Sequence, residues 1–318
     1  MNKDSKIYVA GHSGMVGSAI IRGLRTRGYE NINYVTRKEC DLTNQAEVRK
    51  YFETQRPDYV IDAAARVGGI NANNKYRAEF LSENLIIQHN IIDSAHRYNV
   101  NKLLFLGSSC IYPRNCDIPI NEKSLLTGQL EPTNEPYAIA KIAGIKMCEN
   151  YYRQYGSNFI SAMPTNLFGL NDNFDLETSH VLPALIRKLH EAKVNNDANV
   201  EVWGTGNPLR EFIHVDDVAD ACLYLMNNID ADELYNSGIS HINIGSGEEV
   251  SIKELAIMIK KVIDYNGDLV FNPDYPDGTP RKLLDVSRLN AMGWKSKIKL
   301  EDGLKSVYEW YLDKLLKE

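Results

Sequence analysis

The sequence predicts an α/β protein: a doubly wound parallel sheet followed by a smaller α/β lobe at the C-terminal end. Three observations predict it. Short β-branched runs alternate with longer helical patterns through the first half, the first run ends in a glycine-spaced turn, and the rhythm breaks after Gly169. Strands that are apolar on both faces and separated by helices indicate a parallel sheet covered on both sides.

Taken in order, KIYVAG is followed by a helical stretch over 14–28, INYVT by one over 44–55, and YVIDAAA by one over roughly 76–98. KLLFLGS leads to a helix over 135–155, and FISAMPTNLFG completes the series. Then NDNFDLETSHVLPALIRKLHEAK begins polar and becomes an amphipathic helix. EVWGTGNPLREFIHVDDVADACLYLM reads as strand, turn and helix, and HINIGSGEEVSIKELAIMI as strand, Gly-rich turn and helix. FNPDYPDGTPRKLLDV precedes a last helix near 300–316. The expected division is a dinucleotide-binding unit over 1–169, rejoined by parts of 212–245, and a second lobe over 170–318. The ligand cleft falls between them.

Bulk properties narrow the class. The 318 residues are 43% hydrophobic and 25% charged, as in globular proteins, and can bury a sizeable core. A net charge of −6 without a basic block argues against a nucleic-acid partner. The apolar runs are too short for a membrane span, and MNKDSKIYVAGHSGMVG lacks a signal-peptide core. Five cysteines with no C-x-x-C pair fit a reducing cytoplasm better than disulfides or structural zinc. No His/Cys/Asp cluster has metal-ligand spacing.

The turn AGHSGMVGSAI places Gly11, Gly14 and Gly17 between the first strand and the first helix. This Rossmann-type arrangement allows a tight turn, close backbone approach to a pyrophosphate, and a helix N-terminus facing negative charge. Ser13, Met15 and Val16 complete the candidate cofactor turn. About 20 residues on, where an NAD site carries an acid, stand Thr36, Arg37 and Lys38. A guanidinium grips a 2′-phosphate that an acid would repel, so the expected cofactor is NADP/NADPH. Cys40, Asp41 and Leu42 are placed to border the adenine, and Ala63, Ala64 and Ala65 to run beside the phosphates or ribose.

PYAIAKIAG sets Tyr137 and Lys141 on one helix face. A tyrosine hydroxyl titrates near 10, and a nearby ammonium lowers that barrier to proton exchange. Ser108, at the end of the fourth strand, completes the path to a carbonyl oxygen. Taken alone, Cys110 in GSSCIYP reads as a small buried hydrophobe. His180 reads alone as a helix cap or core residue.

Together these features resemble the extended short-chain dehydrogenase/reductases. AARVGGI, LGSSCIYP, EPYAIAKIAG, NLFGLNDNF, SHVLPALIRKLHEA, WGTGNPLREFIHVDD and PDGTPRKLLDVSRL resemble the branch that epimerises and reduces GDP-4-keto sugars, from about residue 6 to 316. The resemblance implies NADPH-dependent conversion of GDP-4-keto-6-deoxy-D-mannose to GDP-L-fucose, by inversion at C3 and C5 and reduction at C4. It implies Cys110 as the epimerisation base and His180 as its acid partner. Tyr137 protonates the C4 oxygen, Ser108 hydrogen-bonds it, and Lys141 tunes Tyr137 and holds the nicotinamide ribose. Pro164, Asn166, Leu167 and His180 join the cofactor site. On the GDP-sugar side, Arg210 and Lys282 face the phosphates, Trp203 packs on the nucleotide and Asn166 lies near the sugar diphosphate. Lys188 and Leu185 line the same site.

A homodimer is expected through the helices after strands three and four, with Phe80, Leu81, Leu85, Ile86, Ile145 and Met147 as candidates. Two departures stand out: Ser13 where relatives often carry Arg, and Leu170 where Pro is usual. The alternatives are a C4 reductase of another GDP-4-keto sugar such as a 6-deoxyheptose, a nucleotide-sugar 4-epimerase, and a non-catalytic dinucleotide-binding protein.

Overall fold

The computed structural model describes residues 1–275 and 277–316; Pro276, which opens the PDGTPRKLLDV block, and the last two residues lie outside them. The first half runs β1 (Ile7–Ala10), α1 (Met15–Thr26), β2 (Ile32–Asn33), α2 (Gln45–Gln55), β3 (Tyr59–Asp62), α3 (Ile70–Lys75) and α4 (Arg77–Arg97). It continues with β4 (Lys102–Leu106), α5 (Glu135–Tyr155) and β5 (Phe159–Pro164). After these come β6 (Asn166–Phe168), α6 (Val181–Asn195), β7 (Asn199–Trp203), β8 (Leu209–His214), α7 (Val215–Asn228) and α8 (Ala231–Asn236). The chain closes with β9 (Ile242–Ile244), β10 (Glu249–Ser251), α9 (Ile252–Ile263), β11 (Asp268–Asn272), β12 (Arg281–Lys282), α10 (Ser287–Ala291) and α11 (Leu300–Leu315).

Local chemistry sets several of these boundaries. The Asn44 side chain accepts the Ala46 and Glu47 N–H groups and starts α2. Gly156, at φ 70°, ends α5. A reciprocal Ser251–Glu254 capping box starts α9. The expected strand INYVT is paired only over Ile32–Asn33. It lies at the sheet edge, where Thr36 turns away with its N–H and hydroxyl both donating to the Glu39 carboxylate at 2.8 Å. The helix expected over roughly 76–98 is α4, and a separate short helix, α3, precedes it and breaks at Tyr76.

The main sheet is parallel throughout, in the order β2-β1-β3-β4-β5-β9. Strand order reverses between β1 and β3, so a ligand crevice opens at their carboxyl ends. On one face α1 packs against α7, with Ile20, Leu24, Val218 and Leu225 in the core between helices and sheet. On the other face α2, α4 and α5 cover Val60, Leu103, Phe105 and Phe159. Phe80 and Ile145, candidates for a subunit contact, are 2% and 0% exposed and belong to the interior instead. Ile86, at 43%, is on the surface.

The chain returns to this sheet through α7 and β9 before leaving again. The smaller lobe has its own core, in which Leu185, Leu189, Val202, Leu255, Ile259 and Val307 meet. Its hub is β8, which pairs with β10, β12 and β6.

Candidate active site

The glycine turn is shaped by close backbone approach. Gly11 lies at φ +77°, and a Cβ there would stand 2.6 Å from the Ala63 carbonyl oxygen. A Cβ on Gly17 would stand 2.1 Å from the Gly11 oxygen. These two glycines press β1, the loop after β3 and α1 together, which packs Ala64 and leaves Ala63 and Ala65 part-exposed. Gly14 differs: its added Cβ would meet only the Gly11 oxygen, at an ordinary 3.5 Å. Gly14 and Ser13 are exposed, while Met15 and Val16 are half-buried. No side chain caps α1 and no acid sits in its first turn, so its N–H groups are left to an anion.

Arg37 presents an exposed side chain, in a 3.6 Å contact with Asp41. Leu42 is half-buried beside it. This donor set fits a dinucleotide with a 2′-phosphate.

At the end of β4, Ser108 leads into a single helical turn over Ser109–Ile111, which carries Cys110 at 8% exposure. The thiol is pushed above its ordinary pKa by burial, opposed first by the Lys282 ammonium, then by the Ser108 hydroxyl and Lys141. Lys282 therefore acts on the thiol through its charge, which its assignment to the phosphates did not foresee. β12 brings it there by pairing Lys282 with Arg210 in register. Arg210 is held by its own contact with the Leu209 carbonyl at 2.8 Å.

From α5, Lys141 Nζ donates to the Leu106 carbonyl at 2.8 Å and lies 5.8 Å from the Tyr137 ring centroid. Burial, with a contribution from Cys110, raises the Tyr137 pKa. The lowering expected from Lys141 is thus not the net effect, and burial dominates.

His180 belongs to the smaller lobe, at the N-terminus of α6. Gly69 brings its loop in, donating its N–H to the Thr178 carbonyl at 2.9 Å; a Cβ on Gly69 would meet the Ser179 oxygen at 2.7 Å. His180 is exposed, yet surrounding protein desolvates its ring and lowers its pKa. Among the described residues no hydrogen bond or charge interaction joins His180 to Cys110.

In the smaller lobe, Trp203 stacks on Tyr275 with centroids 4.5 Å apart and planes 9° from parallel. Lys188 Nζ lies 4.6 Å over the indole. Thr205, in the WGTG turn, is fastened by its N–H and hydroxyl to the Asp277 carboxylate, each at 2.7 Å. Tyr275 carried no motif and escaped the sequence reading.

Asn166 donates to the Glu211 carbonyl at 2.7 Å, Leu167 is half-buried, and Pro164 is buried at the end of β5. Leu185 is 3% exposed, in the lobe's core rather than on an open wall. Glu211 was also missed. Its buried carboxylate accepts the Gly247 N–H at 2.8 Å and the Leu284 N–H at 3.0 Å, pinning the segment that carries Lys282. Among the described residues no group of three His, Cys, Asp or Glu side chains could hold a metal ion.

A parallel doubly wound sheet with a glycine cradle, a Tyr–Lys pair and a second lobe defines a dinucleotide-dependent enzyme. The family model for "NAD dependent epimerase/dehydratase family" matches residues 7–245, and the chain belongs to that family. It is 57% identical over 311 residues to GDP-L-fucose synthase 1 of Arabidopsis thaliana, covering 98% of this chain and 94% of that one. It is 54% identical over 310 residues to GDP-L-fucose synthase of Escherichia coli (strain K12), covering 97% of each. Among solved structures, a GDP-mannoheptose C4 reductase from Campylobacter jejuni with NADP bound is 44% identical, with a TM-score of 0.91 over 98% of this chain and 99% of that one.

Proposed function

We propose that the protein converts GDP-4-keto-6-deoxy-D-mannose to GDP-L-fucose with NADPH, by epimerisation at C3 and C5 and then reduction at C4. The observation that carries the reading is the grouping of Cys110, Ser108, Tyr137 and Lys141 at one strand end. Inversion needs a base on one face of the sugar and an acid on the other, so the two groups must not touch each other. Protons at C3 and C5 are acidic because each is α to the C4 carbonyl; Ser108 and Tyr137 hydrogen-bond that oxygen and steady both enolates. Cys110 removes the proton, assisted by the neighbouring Lys282 ammonium, and His180 supplies one from the opposite face. When bound, NADPH supplies the hydride that reduces C4. Tyr137 gives its proton to the C4 oxygen, and Lys141 stabilises the phenolate left behind.

Gly11, Gly14, Gly17 and the start of α1 receive the pyrophosphate, and Arg37 the 2′-phosphate. Arg210 and Lys282 take the GDP phosphates, with Trp203 and Tyr275 as the aromatic surface for the nucleotide. Residues 1–169 with parts of 212–245 form the cofactor unit, and the rest of 170–318 the substrate lobe. The unpaired cysteines support a reducing cytoplasm, and among the described residues no helix is long and apolar enough to cross a membrane. A homodimer through α4 and α5 is supported by surface Ile86, Ile139 and Tyr155, at 43%, 42% and 55% exposure.

The test is turnover in deuterated water, following NADPH absorbance and locating deuterium by NMR. NADPH oxidation with label at C3 and C5 is expected. Cys110→Ser should lower label incorporation by about 100-fold or more while the protein still binds NADPH. Oxidation without label would select the second reading, a C4 reductase of a related GDP-4-keto sugar. That reading is supported by the likeness to the mannoheptose reductase.

A further inference from the structure

The sheet face beneath α5 carries a carboxylate that this chemistry does not use. Asp62 ends β3 and is 0% exposed. It pairs in register with Phe105 of β4, which pairs with Ser161 of β5. Side chains alternate along a strand, so Asp62 faces the same side as Val60, into the core under α4 and α5. Asp62 Oδ1 accepts the Ala64 N–H at 3.1 Å, whereas Oδ2 has no hydrogen-bond partner.

Lys141 stands over the same row, its Nζ 4.7 Å from the Phe105 ring centroid, and is 3% exposed. Among the described residues no direct ion pair joins the two side chains. Charge attraction nevertheless links them, and in each it is the largest influence opposing burial. The other titratable groups facing them are Tyr8 of β1 and Cys148 of α5 on the Asp62 side, and Cys110 and Tyr137 on the Lys141 side. All four are weak acids whose pKa burial raises. Asp62 is therefore the anion of this site. A buried ammonium without a counter-charge sheds its proton, and a buried carboxylate alone gains one.

We propose that Asp62 is a positioning residue, the buried counter-ion whose carboxylate keeps Lys141 protonated while Tyr137 gives up its proton. This rests on the assignment of Tyr137 and Lys141 to carbonyl reduction. It adds a group outside every motif that pointed to them.

Two measurements test it. The first is a double-mutant cycle of urea unfolding on the cofactor-free protein, with Asp62→Asn, Lys141→Met and the pair. At pH 8 the two changes together should lower the midpoint by less than the sum of the single losses, and this non-additivity should fade at pH 5 as Asp62 gains its proton. Simple additivity at pH 8 overturns the proposal. The second is the pH profile of 4-keto reduction. Asp62→Asn should move the alkaline limb to lower pH and cut the rate at pH 8 by about tenfold, converging with the parent near pH 6. An unmoved limb beside a non-additive cycle makes the pair structural and also overturns the proposal, leaving the Tyr137–Lys141 assignment intact. Full reduction by Lys141→Met would instead refute that assignment. If Asp62→Asn does not fold, Asp62→Val repeats both measurements with a side chain suited to a strand.

Discussion

At the scale of single residues, the three glycines of the first turn do different work. Gly17 is closed in by backbone, so Gly17→Ala must push apart β1 and α1; a loss of roughly 2–4 kcal/mol is expected in urea unfolding. Gly14 has room for a methyl group on the side where a phosphate would approach. Gly14→Ala should therefore leave the unfolding midpoint nearly unchanged and weaken NADPH binding about tenfold or more, read by fluorescence titration. Equal effects of the two changes on stability would refute the distinction. Asp172 is another informative residue. Burial pushes its pKa up to about 7, and Oδ2 has no hydrogen-bond partner. An acid whose pKa rises on folding contributes stability below its unfolded pKa and loses it as pH rises through the folded one. Asp172→Asn should thus gain on the parent between about pH 4 and pH 7, by at most about 4 kcal/mol at 1.4 kcal/mol per pH unit.

At the scale of elements, the loop that carries Cys110 is held by a buried polar network. Tyr112 donates its hydroxyl hydrogen to Asn243 Oδ1 and stands 2.6 Å from His241 Nε2. With its one hydrogen so used, the Tyr112 oxygen accepts from His241, whose Nδ1 then accepts the Ser240 hydroxyl at 3.0 Å. Burial pushes the His241 pKa down to about 3, consistent with a neutral ring. Asn243 Nδ2 donates onward to the carbonyls of Ile120 and Asp285, at 3.0 and 3.1 Å. The last strand of the main sheet thereby fastens both the Cys110 loop and the segment following Lys282. Tyr112→Phe strands a donor on His241 and an acceptor on Asn243 without removing volume. A cost of about 1–3 kcal/mol is expected, with epimerisation reduced more than NADPH binding. Unchanged stability would mean the network has little hold on the loop.

At the scale of the whole molecule, the smaller lobe pairs Lys282 with Arg210 in register and brings Lys282 within charge interaction of Cys110. β8 organises that lobe, and Glu211 ties its backbone to the Lys282 segment. The outer surface of α5 bears a groove of about 490 Å³ lined by Met147, Tyr151 and Tyr155 among others. Sedimentation equilibrium should give twice the chain mass, and Ile139→Glu should return the monomer. A monomeric parent would end the dimer reading.

The sequence by itself determined the alternation of strands and helices, the phosphate turn and the Tyr–Lys helix, because each is written within one or two turns of chain. The helix read over 135–155 coincides with α5 for that reason: its start, its stop and its buried face are all local. Tertiary structure decided how far β2 extends, since an edge strand competes with the Thr36–Glu39 turn. It also brought Lys282 within charge interaction of Cys110, put Leu185 in the core, and set Asp62 on the sheet face that α5 covers. These last arrangements depend on which strands are neighbours, and pairing between residues tens to hundreds of positions apart leaves no periodic trace in the chain.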